Sequence, residues 1–346
     1  MMTSRLFHFT PASHQLRHPS MAFRATNFLH SSVDLPFFSP VFHDPCSWWW
    51  EAITTTNFLD LWSGISGQDT YQYSLSITEL CSRPVFVHDS PSQFDISPGK
   101  MGDRWLVSCL GVLYLSKGLF YRVVPADQSF TGDGYAGVFR FRLWWCGEWV
   151  EVLVDDRLPT VNGRLAFVQS VHSDQFWPAL LEKAYAKLHG SYEALKYGTM
   201  LDGLSDLTGG IAESISLRQD PTACGRLLNS LLDMTTIVTA TVQAPNQQIR
   251  NNPEKLANGI QIGINYRLYA VERVETISGE AVQLVRMRNP LGAGGGEYVG
   301  TWSRGCTHWH QVPTQEKDRL GLSHSPEAEF WYVPTLIIFQ NLPKNK

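Results

Sequence analysis

Asp95-Ile96-Ser97-Pro98-Gly99-Lys100-Met101-Gly102-Asp103-Arg104-Trp105, continued by LVSCLGVLYLS over 106–116, is the stretch on which the fold turns. Proline and two glycines punctuate its first half, so the chain bends there before it settles. From Trp105 onward apolar residues fall on every side of a 3.6-residue period, which predicts a buried helix over 105–116 despite Gly111. Further along, residues 138–145 and 149–154 alternate apolar and other side chains across Cys146-Gly147-Glu148, as a hairpin does, and Asp155-Asp156-Arg157-Leu158-Pro159 ends the second strand. A second long helix fits 178–195, with Pro178 in its first turn and Leu181, Ala184, Tyr185 and Leu188 as a core stripe. After Thr208-Gly209-Gly210 the texture changes. A short helix over 226–234 leads into β-branched or alternating segments at 236–242, 260–264, 267–275 and 281–288, which predict an antiparallel sheet. A mostly helical half therefore precedes a mostly β half, an α+β arrangement.

The chain has 346 residues, 43% of them apolar and only 17% charged, with 12 tryptophans, so most of its length can bury a core and disorder is excluded as the general state. Its net charge of −4 is spread without a dense Lys/Arg run, which implies neither a nucleic-acid nor an anionic-lipid partner. Apolar runs such as 107–115 and 336–339 fall short of the ~18 residues that a membrane span requires, so no transmembrane segment is expected. Six cysteines without a CxxC read as reduced thiols, and the expected location is cytoplasmic. Residues 1–34 carry three arginines and no acid before Asp34, a composition shared with mitochondrial transit peptides; they are read as a flexible N-terminal tail. The run Gly292-Ala293-Gly294-Gly295-Gly296 reads as a mobile loop, and the tryptophans at 48–50, 144, 145 and 149 as packing rather than a ligand platform. Asp155, Asp156 and Arg157 read as a turn tied by local bonds.

Gly102-Asp103-x-Trp105 at the start of a buried helix, Asn289-Pro290 far downstream and the helical-then-β order together resemble the papain-like cysteine proteases. The resemblance narrows to the calpain family on Glu79-Leu80-Cys81, the stretch 95–105, Gly147-Glu148-Trp149-Val150, Asp155-Asp156-Arg157-Leu158-Pro159, FWPALLEKAYAK over 176–187, Gly190-Ser191-Tyr192-Glu193, Thr208-Gly209-Gly210, Arg286-Met287-Arg288-Asn289-Pro290 and Glu329-Phe330-Trp331. It covers about 35–335. What it implies is the calpain protease core, with a first subdomain over 35–213 and a second, antiparallel β subdomain over 214–346 across a cleft.

The same resemblance marks where chemistry is missing. The family's nucleophile is the Cys of Gly-Asp-Cys-Trp, a thiol that a helix N-terminus helps to ionise, and Arg104 stands in its place. Arg267 of Tyr266-Arg267-Leu268-Tyr269 replaces the histidine base, and a guanidinium can neither accept the thiol proton nor return it. Pro98 replaces the oxyanion-stabilising glutamine and has no N–H to offer. Asn289, the imidazole-orienting member, is retained, while Leu291 replaces the tryptophan that follows Asn-Pro. Cys109 lies five positions along the same helix, about 7 Å further by rise, where its sulfur points into the core. His308 and His310 flank Trp309 and read as surface residues.

Resemblance further implies two calcium sites. Asp95 and Glu182 match the carboxylates of the first, with backbone carbonyls near His88 and Ser90, although Glu182 reads equally well as a solvated helix position. Glu297, Glu327 and Glu329 match the second, but Arg304 sits where an acid belongs and the glycine run lengthens the loop, so this site is expected to be empty or weak. No organic cofactor is implied. If the geometry that the resemblance implies persists, Arg104 and Arg267 face each other across the cleft: either a negative charge sits between them, from Asp103 or from an anion on a partner, which makes them a candidate anion-binding pair, or both side chains splay into solvent. Three functions remain open at this point: a pseudoprotease scaffold that binds a protein partner or calpain substrate, an active calcium-dependent cysteine endopeptidase, and a purely structural interaction module.

Overall fold

A computed structural model describes residues 2–8, 73–88, 96–99, 102–132, 135–216, 221–234, 237–242, 255–292, 297–324 and 328–333. Trp48 to Trp50, Ser90, Asp95, residues 293–296 and Glu327 lie outside the described residues.

The decisive helix runs from Arg104 to Tyr114, and every residue from Leu106 to Tyr114 is buried. The hairpin is also present: Val138–Trp145 pairs with Glu148–Asp155 around Cys146 and Gly147, both at positive φ. The second long helix is shorter than its apolar stripe suggested, Trp177–Leu188, with Pro178 in its first turn. It stops because Gly190 takes a φ of 91°, and a separate 3-10 turn, Glu193–Tyr197, follows. The helix over 226–234 begins earlier, at Pro221.

The second half is a six-stranded antiparallel sheet in the order Glu329–Tyr332, Ala281–Arg288, Asn265–Glu275, Val238–Val242, Met2–His8 and Ile211–Ser216. Two expectations change here. Residues 260–264 are not a strand, since Gly263 at φ 82° breaks extension and only an isolated bridge, Lys255 to Gln261, remains. Met2–His8, read as part of a flexible tail, pairs on both edges in the sheet, where its backbone satisfies the N–H and C=O groups of two neighbours. The mostly helical first half holds, besides the expected hairpin, a three-stranded sheet of Tyr73–Ser76, Arg157–Val161 and Arg164–Leu165. The α+β class stands.

Strand alternation divides the core. Val285, Met287, Phe330 and Tyr332 join the main hydrophobic cluster with the Arg104–Tyr114 helix, whereas Leu284 and Trp331 point to the opposite face and pack with Trp302, Trp309, Val312 and Leu320. Strand Asn265–Glu275 serves both clusters, although Leu268 and Val274 would share a face in a regular strand. A register shift between Leu268 and Ala270 leaves Tyr269 as the extra residue and turns the following side chains over. The bulge therefore sits beside Arg267.

Candidate functional site: the Arg104 helix and the Arg267 strand

Trp105 anchors the start of the site helix. Its Nε1 donates to the Leu195 carbonyl at 2.7 Å, and its ring fills a slot so tight that a Cβ on Gly198 would come within 2.0 Å of it and one on Gly203 within 2.6 Å. Just after the short strand Ile96–Ser97, a Cβ on Gly99 would lie 2.2 Å from the Phe167 backbone, so the Pro98-Gly99 segment presses directly on that chain. Further along the helix, a Cβ on Gly111 would meet the Pro290 carbonyl at 2.7 Å. Glycine there lets the helix of the first half rest on the Asn289-Pro290 turn of the second, and it brings the two halves of the site together.

Arg104 is the first helical residue and Asp103 its N-cap, with no side-chain capping bond. Burial pushes the Arg104 guanidinium down from its ordinary value and the Asp103 charge pushes it back up. Among the described residues no carboxylate comes within 4 Å of Arg104. Asp103 was the expected partner for this arginine, but it is fully buried and adjoins Glu182 instead. Glu182 is 1% exposed, which removes the reading of it as a solvated helix position. Its Oε2 accepts the Val168 N–H at 3.0 Å. Glu182 Oε1 and both Asp103 carboxylate oxygens have no donor among the described residues, and two ionised carboxylates cannot supply one to each other. Burial first, then the Asp103 charge, raises the Glu182 pKa well above its ordinary value. The physical solution is a proton held on Glu182 and shared with Asp103.

Arg267 lies in the sheet strand that packs on the site helix. Its cross-strand neighbours are Thr239 on one side and Arg288 on the other, and Arg288 is itself opposite Glu329. The guanidinium lies 5.9 Å from the Tyr269 ring centre, and burial pushes its pKa down to about 10, which leaves it charged at neutral pH. Asn289 is buried; its Oδ1 accepts the Leu291 N–H at 3.0 Å, so it closes its own turn. Cys109 is fully buried, 3.7 Å from the Met200 carbonyl, which excludes it as a relocated nucleophile in this conformation.

The carboxylates of the second expected calcium site are differently employed. Arg286 reaches Glu329 through Nε at 2.8 Å and a terminal nitrogen at 2.6 Å, and Arg288 lies 3.7 Å from its other oxygen. Glu297 and Arg304 are exposed. At the first site the His88 carbonyl accepts the Tyr114 hydroxyl at 2.7 Å. No group of three or more His, Cys, Asp or Glu side chains is placed to hold a metal among the described residues. The turn at Asp155 is tied more widely than by local bonds alone: the Lys183 ammonium reaches Asp155 Oδ1 at 2.8 Å and the carbonyls of Asp155 and Arg157. No single helix among the described residues is long and apolar enough to cross a membrane.

A buried helix resting on an Asn-Pro turn, with a β half behind it, is the architecture of a papain-like protease core. Residues 73–337 match the family described as calpain family cysteine protease, and this chain belongs to the calpain family. It is 51% identical to Calpain-C of Drosophila melanogaster over 253 residues, 72% of this chain and 36% of that protein. It is 38% identical to Drosophila Calpain-A over 254 residues, 73% of this chain and 30% of the relative, and 41% identical to the Calpain-2 catalytic subunit of Gallus gallus over 256 residues, 73% and 35%. The chain thus spans about a third of the length of these curated relatives.

Proposed function

We propose that this chain is a calpain-like pseudoprotease, a non-catalytic core that binds protein partners or calpain substrates without cutting them. The observation that carries the reading is the pair of guanidinium groups, Arg104 at the start of the site helix and Arg267 on the facing strand, at the positions that the resemblance gives to thiol and imidazole. A nucleophile that cannot lose a proton and a base that cannot accept one leave no route to an acyl-enzyme. Pro98 adds no N–H for an oxyanion, and Asn289 is occupied in its own turn. Two half-buried or buried cations favour a ligand with a carboxylate, so the preferred occupant is an acidic side chain or chain terminus of a bound polypeptide.

Calcium fits the first site better than the second. A cation would have to displace the proton that Glu182 shares with Asp103; the buried Glu182 Oε1 would then face it, and Asp95 with Glu182 would hold it. When bound, calcium would neutralise the Glu182 carboxylate and tie its helix to the strand leading to Pro98. At the second site Arg286 and Arg288 already provide the positive charge that Glu329 needs, and the residues do not fit a further cation. Reduced thiols support a cytoplasmic setting.

A quenched fluorogenic peptide carrying acidic residues tests this directly in the presence of calcium, because anisotropy reads binding and dequenching reads cleavage. The expected result is a rise in anisotropy at constant fluorescence intensity. Dequenching that a thiol-directed epoxide abolishes would restore the endopeptidase reading, and neither signal would remove the binding role.

A further inference from the structure

Residues 301–311 hold an arrangement that the cleft does not explain. Trp302, a buried bulky residue, adopts a φ of 66°, and Gly305 follows at 75°. A left-handed tryptophan is strained and persists only where its surroundings impose it. Here the two left-handed residues curl the chain around the sulfur of Cys306. The Cys306 N–H donates to the Ser303 carbonyl at 3.0 Å, and Cys306 caps the 3-10 turn Thr307–Gln311. Two residues on, His308 places Nδ1 3.1 Å from Cys306 Sγ. The imidazole is not free to leave, because its ring lies against Trp302 at 5.5 Å, and Trp302 packs edge-on to Trp309 at 4.8 Å. Trp309 in turn donates its N–H to the Cys306 carbonyl and its indole Nε1 to Ser303. Thiol, imidazole and an aromatic brace for the imidazole therefore form a fixed unit, and Cys306 is a partly exposed residue within it.

Burial alone pushes the Cys306 thiol up. The backbone of His308, its ring and the backbone of Trp302 more than offset this and hold the thiol below its ordinary value. Cys109 is sealed in the core, whereas Cys146 is exposed in the hairpin turn. Cys306 thus combines thiolate character with access, the conditions for selective oxidation.

We propose that Cys306, paired with His308, is an oxidative modification site at which hydrogen peroxide converts the thiol to a sulfenic acid. His308 takes the thiol proton, and the thiolate sulfur attacks one peroxide oxygen. An S–O bond forms as the O–O bond breaks, sulfur loses two electrons and the peroxide gains them. The departing hydroxide collects the proton from the His308 imidazolium and leaves as water. The products are Cys306 sulfenic acid, neutral His308 and water, so atoms and charge balance. No described thiol is paired with Cys306, so the natural sequel is capping by a small-molecule thiol.

The test treats the full chain with hydrogen peroxide and dimedone, which traps sulfenic acids, and maps adducts by peptide mass spectrometry. Cys306 is expected to label faster than Cys146. His308→Gln is expected to slow Cys306 severalfold while leaving Cys146 unchanged, since the loss of thiolate is only partly offset by the gain in intrinsic nucleophilicity that a higher thiol pKa brings. Equal rates at Cys306 and Cys146, or a His308→Gln rate equal to wild type, would overturn the proposal. Should His308→Gln not fold, wild-type alkylation by iodoacetamide gives an independent ranking, and Cys306 must again lead Cys146.

Discussion

Glu182→Gln is the substitution in which the structure makes its least intuitive demand. Glutamine keeps an oxygen for the Val168 N–H, now held at 3.0 Å, and its amide offers Asp103 a donor without needing a proton from solvent. In the wild type the folded-state pKa of Glu182 is raised above its unfolded value of 4.5, so its contribution is complete below that pH and is lost as pH rises toward the folded value. While the folded chain keeps a proton that the unfolded chain has released, the loss runs at about 1.4 kcal/mol per pH unit. Glutamine has no such proton, so the variant should gain on the wild type as pH rises above the unfolded value, at no more than that slope. Urea midpoints of both proteins at several pH values, with a chelator present, read this difference, which belongs to the Glu182–Asp103 pair, while titrating groups remote from the pair cancel in it. A variant that tracks the wild type in parallel across pH, or that is the less stable protein at pH 7, would refute the shared-proton reading.

Gly111→Ala should destabilise by about 1–3 kcal/mol, although alanine is the better helix former, because its Cβ would sit 2.7 Å from the Pro290 carbonyl; a lower thermal midpoint reads this, and an unchanged one would contradict the close approach. Glu329→Gln should cost about 3 kcal/mol, the lower end for a broken buried pair, because Arg286 remains a third exposed; denaturant unfolding measures it, and a neutral effect would mean that Glu329 is not the counter-charge of the arginine row.

Much of this architecture was legible in the sequence because its signals are local. An all-round apolar run gave the site helix, and alternation around Cys146-Gly147 gave the hairpin. Boundaries failed where a single backbone angle decides, as at Gly190, which ended a helix that the apolar stripe alone would have continued, and at Gly263. The bulge at Tyr269 left no sequence mark, since a strand with one inserted residue alternates normally on either side of it. At the site, motif spacing located Arg104, Arg267, Pro98 and Asn289, yet partners depend on tertiary approach. Asp103 was assigned to the neighbouring arginine on sequence proximity, whereas folding sets it against Glu182, 79 residues away by number. His308 looked like a surface residue, and only the curled backbone at Trp302 and Gly305 places it on Cys306. The available signal was a Cys-x-His at the start of a short turn.

The proposed absence of thiol-protease activity rests on Arg104 and Arg267 standing where the resemblance puts thiol and imidazole. It meets its most direct test in the full chain incubated with casein and millimolar calcium, followed by mass-spectrometric counting of new peptide termini over time. The expected count equals that of casein alone. New termini that accumulate with time and cease when cysteines are alkylated would contradict the claim.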